Sequence, residues 1–108
     1  MNLIDAYTRL VAFRKNIPEK TVFGVEESYV KEYHDIISLL EKETGGDLTQ
    51  FRVPSSAIIR RVSSSSYLTG AKEYTREKYC EKTILCMKVD ALLLKFELED
   101  KNTEIGFR

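Results

Sequence analysis

The sequence lacks any segment that would direct it into or across a membrane. Its longest uninterrupted apolar runs are four residues, as in residues 91–94, whereas a membrane-spanning helix needs about 20. Asp5, Arg9 and Arg14 fall where the apolar region of a signal peptide would lie. We therefore expect no membrane association and a cytoplasmic location.

The sequence is also poor in the residues from which catalytic and metal sites are built. It has one histidine, His34, and two cysteines, so a zinc site with four Cys or His ligands of the usual kinds cannot be assembled. No pattern places a serine or cysteine nucleophile beside His34, which we expect to be a boundary residue on a helix. Glycine-rich phosphate loops are missing as well. We expect no enzyme activity, no catalytic residue, no metal and no cofactor.

The two cysteines, Cys80 and Cys86, are predicted to lie on one helix. Six residues correspond to about 240° around a helix and about 9 Å along it. A disulfide needs two Cα atoms within about 7 Å and converging side chains. We therefore expect two reduced thiols, as is usual in the cytoplasm.

The chain has 108 residues, of which 43% are hydrophobic, enough for one domain spanning residues 1–108. Apolar residues at helical spacing predict a first helix over residues 3–16, which Pro18 terminates. A second helix of about 18 residues ends at Gly45 and Gly46. The third and most deeply buried helix is predicted over residues 75–97.

These elements predict an all-α fold, a compact bundle of three main helices plus one or two short ones. Residues 45–75 form a long irregular connection before the last helix, and connections of that length are often functional. Within that connection, residues 55–62 suit either a short helix or a strand. The short apolar end at Ile105 and Phe107 has the composition to pack back as a strand or a docked tail, with residues 51–53 as one candidate partner, but the sequence leaves open whether it does. The predicted core consists of Leu10, Tyr33, Ile36, Leu40, Leu85, Val89, Leu92 and Phe96.

The charge balance conceals a basic middle segment. The whole chain has 17 basic and 17 acidic residues, yet residues 52–82 have seven basic and three acidic ones. Tyrosines interleave with these cations, a composition that can hold phosphates and stack bases. An acidic protein partner and ordinary scatter of charge are the alternative explanations. The predicted binding residues are Arg52, Arg60, Arg61, Lys72, Arg76 and Tyr67.

Two classes of function follow from this inventory. The first is a non-enzymatic helical protein–protein interaction or regulatory module, part of a larger assembly, whose partner is another protein or a second copy of the chain in a homodimer. The alternative is a small nucleic-acid-associated protein that uses residues 52–82. A phosphate-binding surface should gather Arg52, Arg60, Arg61 and Lys72 on one face, whereas a scaffold would scatter them.

Overall fold

The computed structural model describes the backbone of residues 2–106 and the side chains of residues 2–99. Three helices accompany a three-stranded antiparallel sheet in the order β1-β3-β2. The fold is therefore mixed α and β, and the prediction of an all-α helical bundle is wrong. The elements are α1 (Leu3–Asn16), β1 (Val25–Glu26), α2 (Glu27–Thr44), two 3-10 turns (Thr49–Phe51 and Ser55–Ala57), β2 (Ile58–Ser65), β3 (Lys72–Cys80) and α3 (Lys82–Gly106).

The first two helices lie where the sequence predicts them. The Asn2 side chain accepts a hydrogen bond of 2.9 Å from the backbone N–H of Asp5 and so caps α1. Helix α2 ends at Gly45, whose φ of 72° is left-handed. The Gly45 N–H donates to the Glu41 carbonyl oxygen at 2.8 Å, the ordinary way in which glycine closes a helix.

The prediction of the third helix is wrong over its first residues. Residues 75–80 belong to β3, and α3 begins at Lys82 and continues to Gly106. Cys80 therefore lies on a strand and Cys86 on a helix, so the shared helix that we invoked to keep them apart does not exist. Both are nevertheless free thiols. The strand escaped prediction because its side chains alternate between two solvated faces, which leaves no apolar alternation to detect.

The segment that we expected to be irregular is largely a β-hairpin. Residues 55–62, for which helix and strand were alternatives, form a 3-10 turn followed by most of β2. At the other end of the chain, α3 includes the backbone of Ile105 and Gly106, so these two residues form neither a strand nor a ladder with residues 51–53. Phe107 lies outside the described residues.

The hydrophobic core lies between the three helices and the base of the sheet. Val25 of β1 pairs with Cys80 of β3, and both side chains are buried against the helices. The core prediction is confirmed for seven residues, while the eighth, Phe96, is only partly buried against them. The seven are Leu10, Tyr33, Ile36, Leu40, Leu85, Val89 and Leu92.

Gly24, just before β1, marks a close approach of two backbone segments. Its φ is +114°, and a Cβ at this position would lie 2.4 Å from the carbonyl oxygen of Cys80. Glycine is thus required here both by conformation and by space. None of the helices in residues 2–106 combines the length and the hydrophobicity that a bilayer-spanning segment requires.

Candidate interaction surface

The β2–β3 hairpin projects from the helical body into solvent. Every residue from position 62 to position 74 is exposed, and we refer to this outer part of the hairpin as the arm. The molecule measures 70 Å along its longest axis and 21 Å along the other two. The arm therefore presents two strands and both of their faces to any partner.

The register of the hairpin contains two irregularities, one on either side of Val62. At the first, three residues of β3 lie opposite the single residue Arg61. The hydroxyl of Thr75 accepts a hydrogen bond of 3.0 Å from the Arg61 N–H and donates one of 2.7 Å to the Glu77 carbonyl oxygen. The Thr75 hydroxyl therefore takes the place of backbone partners where the hydrogen bonds between β2 and β3 are interrupted, and it helps to fix the register of the two strands.

One face of the hairpin is basic. Arg60 lies opposite Lys78, and Val62 lies opposite Tyr74; residues paired in this way point to the same side of a sheet. Lys72 is two residues from Tyr74 and therefore joins the same face. We call Arg60, Lys72 and Lys78, with Val62 and Tyr74 between them, the basic face.

The opposite face has a mixed character. Tyr79 contacts Phe23, with ring centroids 5.5 Å apart, and the Ser64 hydroxyl donates to the Glu73 carboxylate at 3.2 Å. Arg61, next to Arg60 in the strand, also turns to this side. It lines a groove of about 570 Å³ together with Thr21, Phe23, Gly24, Lys82 and Thr83, among others, and its Nε atom is buried with no hydrogen-bond partner among the described residues.

The tip of the arm carries two apolar side chains in full contact with water. The turn is closed by a hydrogen bond of 2.6 Å from the Ser66 N–H to the Ala71 carbonyl oxygen. Gly70 takes the left-handed conformation that the turn requires, with a φ of 72°. Tyr67 and Leu68 are 101% and 93% exposed. The part of the hairpin most distant from the core is thus the part with the largest solvated apolar side chains.

Arg52 does not belong to this surface. Its guanidinium donates hydrogen bonds of 2.9 Å to the Glu41 carboxylate and of 2.9 Å to the Ser38 hydroxyl. The backbone N–H of Leu48, followed by Arg52, lowers the pKa of Glu41 below its ordinary value. Arg52 therefore connects the segment after α2 to that helix, and its charge is already paired with that of Glu41.

His34 also connects α2 to the segment that follows it. Its Nε2 atom accepts a hydrogen bond of 3.0 Å from the backbone N–H of Val53. Burial, followed by the charge of Arg52, lowers the pKa of His34 below its ordinary value, so the neutral ring that this hydrogen bond needs is favoured. The prediction of a boundary histidine is confirmed, since the residue is partly buried.

The predicted binding residues are thus divided among several places. Arg60 and Lys72 lie on the basic face, Arg61 lies on the opposite face, and Tyr67 lies at the tip. Arg76 belongs to the irregular stretch of β3, and Arg52 lies on the body. The four cations that a phosphate surface should have gathered on one face are therefore scattered.

The predicted binding residues omit four members of the surface, namely Lys78, Tyr74, Val62 and Leu68. Lys78 and Tyr74 could have been found from the spacing of residues along a strand, in which every second side chain lies on the same face. Once the hairpin is recognised, this spacing places Lys72, Tyr74 and Lys78 on the face that carries Arg60. We assumed a helix from residue 75 onwards, and in a helix these residues do not share one face.

Within the part of the chain that the structure describes, no three His, Cys, Asp or Glu residues lie close enough together to hold a metal ion. Comparison of the chain with protein-family models, with curated proteins and with solved structures finds no match in any of the three.

Proposed function

We propose that this chain is a non-enzymatic interaction module whose arm docks into another protein of a larger assembly. One observation carries the proposal: residues 62–74 are exposed throughout, although a two-stranded hairpin without a covered face is only marginally stable in water. A partner that covers the arm supplies the apolar burial that the chain itself does not provide.

The chemistry of the arm defines the partner. Tyr67 and Leu68 at the tip suit an apolar pocket, because buried aromatic and aliphatic anchors dominate the affinity of protein interfaces. The basic face suits acidic residues around such a pocket, where complementary charge speeds association and fixes orientation. We therefore infer a partner with an apolar cavity bordered by Asp and Glu.

The same proposal places the protein in a reducing compartment such as the cytoplasm. Two free thiols in a chain of this size support that placement. No catalytic role and no cofactor form part of the proposed function.

Site-specific photo-cross-linking tests the proposal. A benzophenone amino acid replaces Tyr67 at the tip and, as the control, the exposed Lys31 on α2, in cells of the source organism. We expect protein adducts of defined mass at position 67 that position 31 does not form, and we expect Arg60→Glu/Lys78→Glu to reduce them. The same adducts at both positions, or no adduct at position 67, would overturn the proposal.

Nucleic acid is a second candidate partner, and the basic face is the observation that favours it. Arg60, Lys72 and Lys78 share that face with Tyr74, and a two-stranded ribbon fits the DNA major groove. Protein–phosphate contacts weaken steeply with salt, whereas docking of an apolar tip does not.

The nucleic-acid candidate is tested by fluorescence anisotropy on a labelled duplex and a labelled single strand, at about 50 and about 200 mM salt. Arg60→Ala/Lys78→Ala should weaken binding, and Lys31→Ala/Lys42→Ala, which removes the same charge from exposed positions of α2, should not. An absence of wild-type binding at the lower salt concentration eliminates this candidate. Equal loss in both double variants would assign binding to net charge alone.

A further inference from the structure

Helix α3 carries a second apolar stripe on the side that faces away from the core. The inner stripe consists of Leu85, Val89, Leu92 and Phe96, packed in or against the core. The outer stripe consists of Met87, Ala91, Leu94 and Leu98, which are all exposed and follow the same spacing of four, three and four residues. Met87 is two positions after Leu85, which is about 200° around a helix, so the two stripes lie on opposite sides.

The outer stripe is a continuous apolar strip rather than scattered apolar residues. Met87, Leu94 and Leu98 are 66%, 53% and 50% exposed. Single exposed apolar residues are ordinary on protein surfaces. A stripe that alternates steps of four and three along one helix is the pattern by which helices pair in coiled coils.

The rest of the chain borders this stripe on both sides without covering it. On one side Arg14 of α1 forms an ion pair of 2.7 Å with Asp90. On the other side Lys88 donates a hydrogen bond of 2.9 Å to the carbonyl oxygen of Gln50. The stripe between these two flanks therefore remains open to a helix of another chain.

The flanking charges identify that helix. The positions on one flank are acidic, Asp90 and Glu97, and those on the other are basic, Lys88 and Lys95. When two copies of α3 pair in parallel, each flank faces the opposite flank of the other copy, which brings Asp90 beside Lys95 of the partner subunit. In an antiparallel pair, acidic flanks would face each other, and so would basic ones.

We propose that two copies of this chain associate through the outer stripes of their α3 helices, in parallel and in register. The proposal is independent of what the arm binds. Asp90 and Lys95 already have ion-pair partners in their own chain, Arg14 and Glu99, and all of these groups lie at the surface. The cross-subunit pairs therefore set orientation, while the apolar stripe provides the affinity.

Light scattering tests the association, with protein concentrations from about 5 to about 500 μM, because a short helical interface gives a weak, concentration-dependent dimer. We expect the wild-type mass to rise from one chain towards two. Leu94→Lys should raise the dissociation constant at least about tenfold, since it buries a charge in the stripe, and Lys31→Glu on α2 should leave it unchanged. A mass of one chain throughout, or wild-type dimerisation by a folded Leu94→Lys variant, would overturn the proposal.

Disulfide trapping tests the orientation and does not depend on the Leu94 variant. In a Cys86→Ser background, Leu98→Cys faces its own equivalent in a parallel, in-register pair. Mild oxidation should convert it to a covalent dimer that a reductant reverses, and Lys31→Cys should give none. A Leu98→Cys variant that stays monomeric, or cross-links no faster than Lys31→Cys, would refute the parallel arrangement. Because Tyr67 lies on the hairpin and the stripe lies on α3, the substitutions are made on different elements and both outcomes are separable from those of the arm experiments.

Discussion

The hydroxyl of Tyr33 donates a hydrogen bond of 2.8 Å to the carbonyl oxygen of Phe51. This contact joins the buried face of α2 to the 3-10 turn that precedes the hairpin. The Tyr33 ring also stacks on Phe13 of α1, with centroids 5.7 Å apart. One side chain thus connects α1, α2 and the segment that leads to β2.

Tyr33→Phe should keep the stacking and lose only the hydrogen bond. The Phe51 carbonyl would then be left without that donor in a buried site, so we expect the free energy of unfolding to fall by about 1–3 kcal/mol. Urea denaturation measures this change. Tyr74→Phe, on the exposed arm, is the control and should change nothing; equal effects of the two substitutions would contradict the assigned role of the Tyr33 hydroxyl.

Stability should fall as the pH drops through the range in which His34 titrates. The pKa of His34 in the folded protein is below its ordinary value of 6.5, so the unfolded chain binds a proton first. The contribution of neutral His34 to the free energy of unfolding is therefore complete above its ordinary pKa. It is lost as the pH falls towards the lower pKa of the folded protein. Protonation also removes the acceptor that the Val53 N–H uses.

The measurement is the free energy of unfolding at about pH 7.5 and about pH 5.5, in the wild type and in His34→Gln. The variant keeps an acceptor but cannot take up the proton, so its stability should depend less on pH in this window. Glu41 and Asp47, whose pKa values are also lowered, titrate below their ordinary values of 4.5 and 3.8 and contribute at more acid pH. An unchanged pH dependence in His34→Gln would refute this account.

Leu92→Ala tests the inner stripe of α3. Leu92 is 0% exposed, and truncation of a fully buried leucine costs about 2–5 kcal/mol through lost transfer energy and the cavity that remains. Lys31→Ala on the exposed side of α2 should shift the denaturation midpoint little. A Leu92→Ala shift as small as that of the control would remove α3 from the core.

Two glycines with positive φ should respond differently to alanine. At Gly24 the added Cβ would lie 2.4 Å from the Cys80 carbonyl oxygen, whereas at Gly45 it would meet no other part of the fold within 4 Å beyond the adjoining chain. Gly45→Ala should therefore cost only the strain of the left-handed conformation, about 1–3 kcal/mol. Gly24→Ala should cost clearly more, because β1 must move away from β3. Thermal unfolding of both variants checks this order, and equal losses would contradict it.

The helices could be predicted where local signals and burial agree. In α1 and α2 the cap residues stand at the ends of an apolar stripe that faces a core, so periodicity and termination give the same boundaries. The hairpin could not be predicted in this way, because residues 62–74 face water on both sides and their order of polar and apolar residues carries no period. Its pairing is set instead by the turn around Gly70 and by partners such as Thr75, whose roles become visible only in three dimensions.

The candidate site was predicted only in part, because the sequence shows which residues are charged but not which face of a strand they lie on. Net positive charge is a property of composition, so the basic segment could be found without knowing its shape. The assignment of each cation required the strand: Arg60 and Arg61 are adjacent in sequence and point to opposite faces. Arg52 was included because its charge is visible in the sequence, whereas its neutralising partner Glu41 is 11 residues away and is brought to it by the fold.

Only Glu81 separates β3 from α3, and this short connection restricts how the hairpin can be oriented relative to the helices. With a single connecting residue, and with the backbone of Gly24 packed close to that of Cys80, the base of the hairpin has little room to rotate about the helical body. If a partner holds Tyr67 as proposed, it would therefore also restrict the direction of the helix axis, which would reduce the rotational entropy lost when later contacts form. Binding of the proposed partner at the tip of the hairpin would in this way also orient α3.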